Sequence, residues 1–202
     1  PQIIKVLPEM RIGTEREVKI PDICPVCEEK VKKDSGGVYI KCVNLNCPAK
    51  KREYLYYFVS KKGFDIPGLG PQIINALYDN ALIQDASDFF KLEKGDLLPL
   101  ERFADKSAEN LLNAIQSRRE ISFPKLITAL GILHVGEQTA LDLAKKFKNI
   151  YNLKNASLAD LENIPNIGTV VSKSAYDWFR DKYNIKFLDK LLREIKIEEV
   201  KS

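Results

Sequence analysis

The sequence predicts a mainly α fold: tandem pairs of short helices joined by tight turns, behind a small four-cysteine knob and a strand-like stretch. Three observations carry this. All four cysteines fall in one run of 24 residues. A turn motif recurs at intervals of 34, 32 and 32 residues. Apolar residues follow each turn at four and seven positions, which marks one face of a helix. The chain has 202 residues, 45% hydrophobic and 30% charged, an ordinary balance for a protein that buries a core. No apolar run approaches a membrane span, and no signal-peptide pattern opens the chain. A cytoplasmic protein with no membrane partner is the expectation.

Residues 1–21 come first. "PQIIKVLPEM" resembles the middle of a strand, and the chain starts without methionine. A fragment of a larger protein is expected.

Residues 22–62 hold the cysteines and a following helix. Cys24 and Cys27 form C-x2-C; after fourteen intervening residues Cys42 and Cys47 form C-x4-C. Two such knuckles facing each other present four thiolates to one tetrahedral ion, which suits zinc. Pro25, Asn44, Asn46 and Pro48 supply turn chemistry. Gly36-Gly37 is expected to turn the chain between two short strands, with "VYIKC" returning. Two disulfides or four unrelated thiols are the bland alternatives. The rest of the chain has no cysteine and nothing indicates secretion, so paired knuckles favour zinc. Four cysteines leave no open coordination position, so the ion is structural. A stretch this short depends on the metal for much of its folding energy. These residues carry nine Lys/Arg against five Asp/Glu, while residues 63–202 carry 19 against 20. Basic character therefore concentrates around the cysteines, where Lys30, Lys32, Lys33, Lys41, Lys50, Lys51 and Arg52 offset the thiolates.

Residues 63–195 hold the repeat. "DIPGLGPQIINAL", "PLERFADKSAENLL", "GILHVGEQTALDLA" and "IPNIGTVVSKSAYDW" align on Gly70, Ala104, Gly136 and Gly168. The turns fall near 68–70, 102–104, 134–136 and 166–168. The residue just before is apolar each time: Leu69, Phe103, Val135, Ile167. Four positions on stand Ile74, Ala108, Ala140 and Ser172; seven on, Leu77, Leu111, Leu143 and Ala175. Ser87 and Ser157 are plausible helix starts. The second helix of each pair opens directly on its turn, with Pro71, Asp105 and Glu137 at first helical positions. Glycines at such turns permit positive φ and close approach. The turn N–H groups beside a helix N-terminus then form an anion site without a charged side chain. A ligand-free interhelical turn explains any one copy equally well; four copies beside a basic knob favour a nucleic-acid backbone. Residues 196–202 read as a tail or linker.

At this point the motifs resemble a known family. The turns are similar to helix-hairpin-helix motifs. The order of segments resembles the C-terminal half of bacterial NAD-dependent DNA ligase, on "CPVC…CVNLNCPAK", "GFDIPGLG", "KSAENLLNAIQ" and "LGILHVGEQTALDLA". "PQIIKVLPEM" resembles the last strands of that family's OB domain. The resemblance covers essentially the whole chain. It implies a tandem helix-hairpin-helix domain preceded by a small tetracysteine zinc finger and a β remnant of an OB fold. It also implies a part of an enzyme that seals nicks in duplex DNA during replication and repair. In that family a lysine in K-x-D-G takes AMP from NAD, with magnesium. No K-x-D-G occurs here, so NAD and magnesium act outside this segment. The implied partners are nicked double-stranded DNA and the parent's adenylation and OB domains. The fragment alone is expected to be inactive.

The expected DNA-binding residues are Gly68, Leu69 and Gly70; His134, Val135 and Gly136; Asn166, Ile167 and Gly168; and Lys106. Arg102-Phe103-Ala104 lacks glycine. A Cβ at Ala104 is expected to obstruct positive φ and phosphate approach, which ranks that turn lowest. Its Lys106 can still reach a phosphate. His134, the single histidine, has no metal left to bind. Trp178, Phe179 and Tyr176 read as packing. Tyr54, Tyr57 and Phe58 read as packing against the finger. Lys145, Lys146, Lys148, Arg118 and Arg119 read as solvated faces unless they share a side with the turns. Two other functions fit the same residues: a self-standing zinc and helix-hairpin-helix DNA-binding module, and a helical protein-interaction scaffold.

Overall fold

A computed structural model describes residues 4–17, 19–33, 39–44, 46–101 and 103–198. The chain divides into two compact units, Pro1–Pro48 and Ala49–Ser202.

The first unit has little regular structure. A two-stranded antiparallel sheet pairs β1 (Val31–Lys33) with β2 (Ile40–Cys42), Val31 opposite Cys42. The Gly36-Gly37 turn lies outside the described residues. Residues 4–17 and 19–21 form no strand; they hold one 3-10 turn at Pro8–Met10. The described residues of this stretch carry no ladder of their own. Ile4, Val6, Met10 and Ile12 are exposed, and an extended segment needs a neighbouring strand for its ladder and its apolar face.

The second unit is helical. The helix α1 (Pro48–Val59) begins immediately after Cys47. Its Leu55, Phe58 and Val59 are buried in the main core, so the helix that follows the finger groups with the helical unit. Tyr54 and Tyr57 likewise pack within the helical unit. Phe58 stacks on Phe64 at 4.4 Å, with Phe89, Phe90 and Phe187 around it.

The pairs follow in order. The first turn leads into α2 (Pro71–Asp79). A 3-10 helix, Ala86–Lys91, is capped by Asp85, whose side chain accepts from the Ser87 N–H. Ser87 is thus inside the element, not its start; the carboxylate is the better acceptor. Next come α3 (Lys94–Leu97) and α4 (Asp105–Gln116). Then β3 (Glu120–Ser122) runs into α5 (Phe123–Ala129) and α6 (Glu137–Phe147). The last pair is α7 (Ile150–Lys154) leading to α8 (Leu158–Glu162) and α9 (Thr169–Trp178). Ser157 caps α8 as expected, accepting from the Asp160 N–H. Trp178 packs half-buried against Phe179, ring centroids 4.8 Å apart.

The end of the chain departs from the tail reading. After α10 (Lys182–Glu194), β4 (Lys196–Glu198) pairs parallel with β3, Ile121 opposite Ile197. Two short strands gain a ladder only through each other. Arg119 anchors the junction: its guanidinium donates to the Glu194 carbonyl at 2.6 Å and to the Phe90 carbonyl.

Candidate nucleic-acid interface and metal centre

The four cysteines converge. Cys27 and Cys42 sulfurs lie 3.5 Å apart, Cys24 and Cys47 3.9 Å, and all four lie within 4.8 Å of one another. A tetrahedral zinc with Zn–S near 2.3 Å needs sulfurs about 3.8 Å apart, so the set fits. None of the four is joined in a disulfide. The first knuckle is closed by Glu28 N–H to Cys24 O (2.9 Å) and Cys24 N–H to Glu29 O (2.7 Å), with Glu28 at φ 59°. The second is held by the Asn44 side chain, which accepts from Asn46 N–H at 2.8 Å. Without an ion the thiols divide. The N–H groups of Val26 and Cys27 bring Cys24 down to about 7, while burial pushes Cys42 up to about 12. A divalent cation reverses the second trend, because a coordinated thiol ionises outright. Zinc as a structural ion suits this donor set.

The corners of the hairpins share one backbone plan. Gly70, Ala104, Gly136 and Gly168 are the N-caps of α2, α4, α6 and α9, all extended, with φ between −79° and −127°. Their carbonyls accept the first helical bond from Ile74, Ala108, Ala140 and Ser172, at 2.9–3.0 Å. Those four partners are fully buried, which explains why the apolar phase repeats. Positive φ falls two residues earlier, at Gly68 (89°), His134 (66°) and Asn166 (67°). Arg102, the equivalent residue in the second turn, lies outside the described residues. The expectation of positive φ at Ala104 is therefore wrong: its φ is −127°, which any residue adopts.

A different feature sets the second turn apart. Ser107 Oγ accepts the Ala104 N–H at 2.9 Å. Asp105 at its first helical position, with Glu109, holds Lys94 at 2.6 and 2.7 Å. That corner is closed by a hydroxyl and lined with acid. Lys106 is exposed beside it. At the third and fourth corners, no acceptor among the described residues takes the N–H of Gly136 or Gly168. A Cβ built at Gly70, Gly136 or Gly168 would meet nothing within 4 Å. These glycines are not required by internal packing; they leave the helix N-termini open. The first corner is intermediate: Gly70 N–H is turned back to Gly68 O at 3.0 Å, and Pro71 has no N–H.

The sequence-marked site residues thus separate. Gly68, His134, Gly136, Asn166 and Gly168 are exposed and Gly70 is half-buried. Leu69, Val135 and Ile167 are buried core residues. The N–H groups of Val135 and Ile167 are also spent inside their turns, on Ile132 O (3.0 Å) and Ile164 O (3.2 Å). They brace the corner and present nothing outward. Sequence reasoning missed the braces from afar. Arg118 donates to the Asp65 carbonyl (2.8 Å) and pairs with its carboxylate (3.0 Å), fixing the approach to the first turn. Arg180 donates to Lys154 O (2.8 Å) and Ala156 O (2.9 Å) before the fourth. Arg118 and Arg119 are structural anchors, not solvated charges.

The comparisons agree with this anatomy. A family model described as the NAD-dependent DNA ligase C4 zinc finger domain matches residues 24–49. One described as the helix-hairpin-helix motif matches residues 125–188. The DNA ligase of Desulfitobacterium hafniense is 40% identical over 191 residues, 95% of this chain and 29% of that protein. Those of Pelotomaculum thermopropionicum (40% over 193 residues, 28% of the protein) and Clostridioides difficile (37% over 191 residues, 28%) are similar to the same extent. The chain spans less than a third of the length of these relatives. Fold and matched family models define a zinc-finger and helix-hairpin-helix unit. Over nearly its whole length the chain is similar to a portion of proteins named DNA ligase, and its finger matches the model of the NAD-dependent DNA ligase zinc finger.

Proposed function

We propose that this chain is the DNA-gripping C-terminal portion of a ligase that seals nicks in duplex DNA. The single observation that carries the reading is the pair of open corners at Gly136 and Gly168: among the described residues the amides of these two N-cap glycines have no internal acceptor, and their missing Cβ would meet only space. Such a corner admits a phosphate oxygen at hydrogen-bond distance from the amides, with the helix dipole in its favour. Gly68, His134 and Asn166 shape the turns, and Lys106 adds a cation beside the closed second corner. The zinc ion of the four cysteines is structural. The chain has no K-x-D-G lysine to carry AMP, so catalysis belongs to the parent's adenylation domain. NAD and magnesium act there, and the OB domain completes the grip on nicked duplex.

Two measurements test this. Duplex affinity of the chain should fall steeply with salt, as contact with phosphates requires; affinity indifferent to salt favours a protein-docking scaffold. Mixing the chain with a separately produced adenylation-plus-OB fragment should restore nick joining that neither has alone. Failure of joining with intact duplex binding favours a DNA-binding module outside any ligase.

A further inference from the structure

Two side chains at the open corners have no part in the grip described above. Leu133 stands three residues before Gly136 and is 65% exposed; Val170 stands two residues after Gly168 and is 64% exposed. Among the described residues of the helical unit, they are the most exposed large aliphatic side chains. The fold does not ask for them. In the other turns Leu133 is matched by Pro67, Glu101 and Pro165, and Val170 by Gln72, Lys106 and Gln138. Polar and even charged residues therefore serve these places where packing alone decides. The exposed aliphatics occur only at the third and fourth corners, the same two whose glycine amides lack an internal acceptor.

We propose that Leu133 and Val170 pack against the deoxyribose edges of a duplex held at these corners and select DNA over RNA. This rests on the reading that the corners hold phosphate oxygens. Sugar and phosphate alternate along a strand, so a group two or three residues from a phosphate-holding amide meets the adjoining sugar. Deoxyribose offers a carbon edge there. Ribose offers a 2′-hydroxyl, displayed in the shallow groove of an RNA duplex. Covering that hydroxyl with an aliphatic side chain strips its water without replacing the hydrogen bond. The contact is apolar, so it adds affinity without adding to salt dependence, unlike the phosphate contacts themselves.

The test uses the whole 202-residue chain, a short blunt DNA duplex and an RNA duplex of the same sequence, with binding followed by fluorescence anisotropy over a range of salt. The Leu133→Ser, Val170→Ser double variant should lose about tenfold in DNA affinity. Its salt slope should match the parent chain's and its preference for DNA over RNA should narrow. Tyr151→Ser, at a similarly exposed position on α7, should change nothing. Unchanged affinity in the double variant, or an equal loss for both duplexes, overturns the proposal. So does a fallen salt slope, which would make the contact ionic. If Gly136→Val abolishes binding while the double variant does not, the phosphate reading stands and the sugar contact fails. If the parent chain binds no duplex, both fail.

Discussion

At Gly68, His134 and Asn166 the chain adopts positive φ, and two residues later it returns to an extended N-cap. The two glycine positions of the motif therefore have separate physical duties. The first serves conformation, and histidine or asparagine fill it because they tolerate the left-handed region better than most residues. The second serves clearance. Two substitutions separate these duties. Gly68→Val should destabilise the fold by about 1–2 kcal/mol, seen as a lower melting temperature, because valine is strained at that φ. Gly136→Val should leave the melting temperature nearly unchanged yet weaken duplex binding by roughly tenfold or more, the worth of a charge-assisted hydrogen bond. A gel shift with unaltered affinity would remove Gly136 from the interface. The sequence located these residues through their spacing but misassigned the dihedral, since glycine tolerates both conformations and leaves no mark of which it adopts. It also could not foresee that the Ser107 hydroxyl closes the second corner, a contact made across one helical turn.

The helix α1 ties the array together. Tyr57 donates to Thr128 O at 2.9 Å and Tyr54 to Ala129 O at 3.2 Å, meeting the last carbonyls of α5 just before the third turn. Tyr56 donates to Asn75 at 2.6 Å, and Arg52 pairs with Asp79, both on α2. One helix thus holds the first and third hairpins. Tyr57→Phe should cost about 1 kcal/mol in denaturant unfolding, the net value of one hydrogen bond. The aromatic spacing in "YLYYF" was legible as packing, but not the body it packs on, because that depends on residues some 70 positions away. The β3–β4 pair was illegible for a related reason: three residues a strand are too few to show a period. Capping adds a pH dependence. The Ser157 hydroxyl and N–H hold the Asp160 carboxyl below its usual value. A lowered folded-state pKa stabilises above the unfolded value, near pH 4, and the contribution vanishes as pH falls through the folded one. Asp160→Asn should therefore flatten the acid side of the stability profile, followed by circular dichroism.

At the scale of the molecule, the chain is two units with different sources of stability. The helical unit has a continuous aromatic and aliphatic core. The finger has two paired strands of three residues each and four sulfurs. Chelation should disorder residues 22–47 and leave the cooperative melt of the helical unit, α1 included, in place; heteronuclear NMR of the chelated protein would reveal it. A finger that keeps its dispersed resonances without metal would contradict a metal-dependent fold. The finger was readable from sequence because cysteine spacing is a covalent constraint. The division at Pro48 was not, since helix α1 runs on from the second knuckle without a break in pattern.

The bare helix starts at Gly136 and Gly168 have one more consequence. A contact made by main-chain nitrogen has no ionisable group and no amine to acylate. Acetylating reagents that neutralise the lysines around the cysteines would strip long-range attraction from the protein, yet the two corners would keep their hydrogen-bonding capacity untouched.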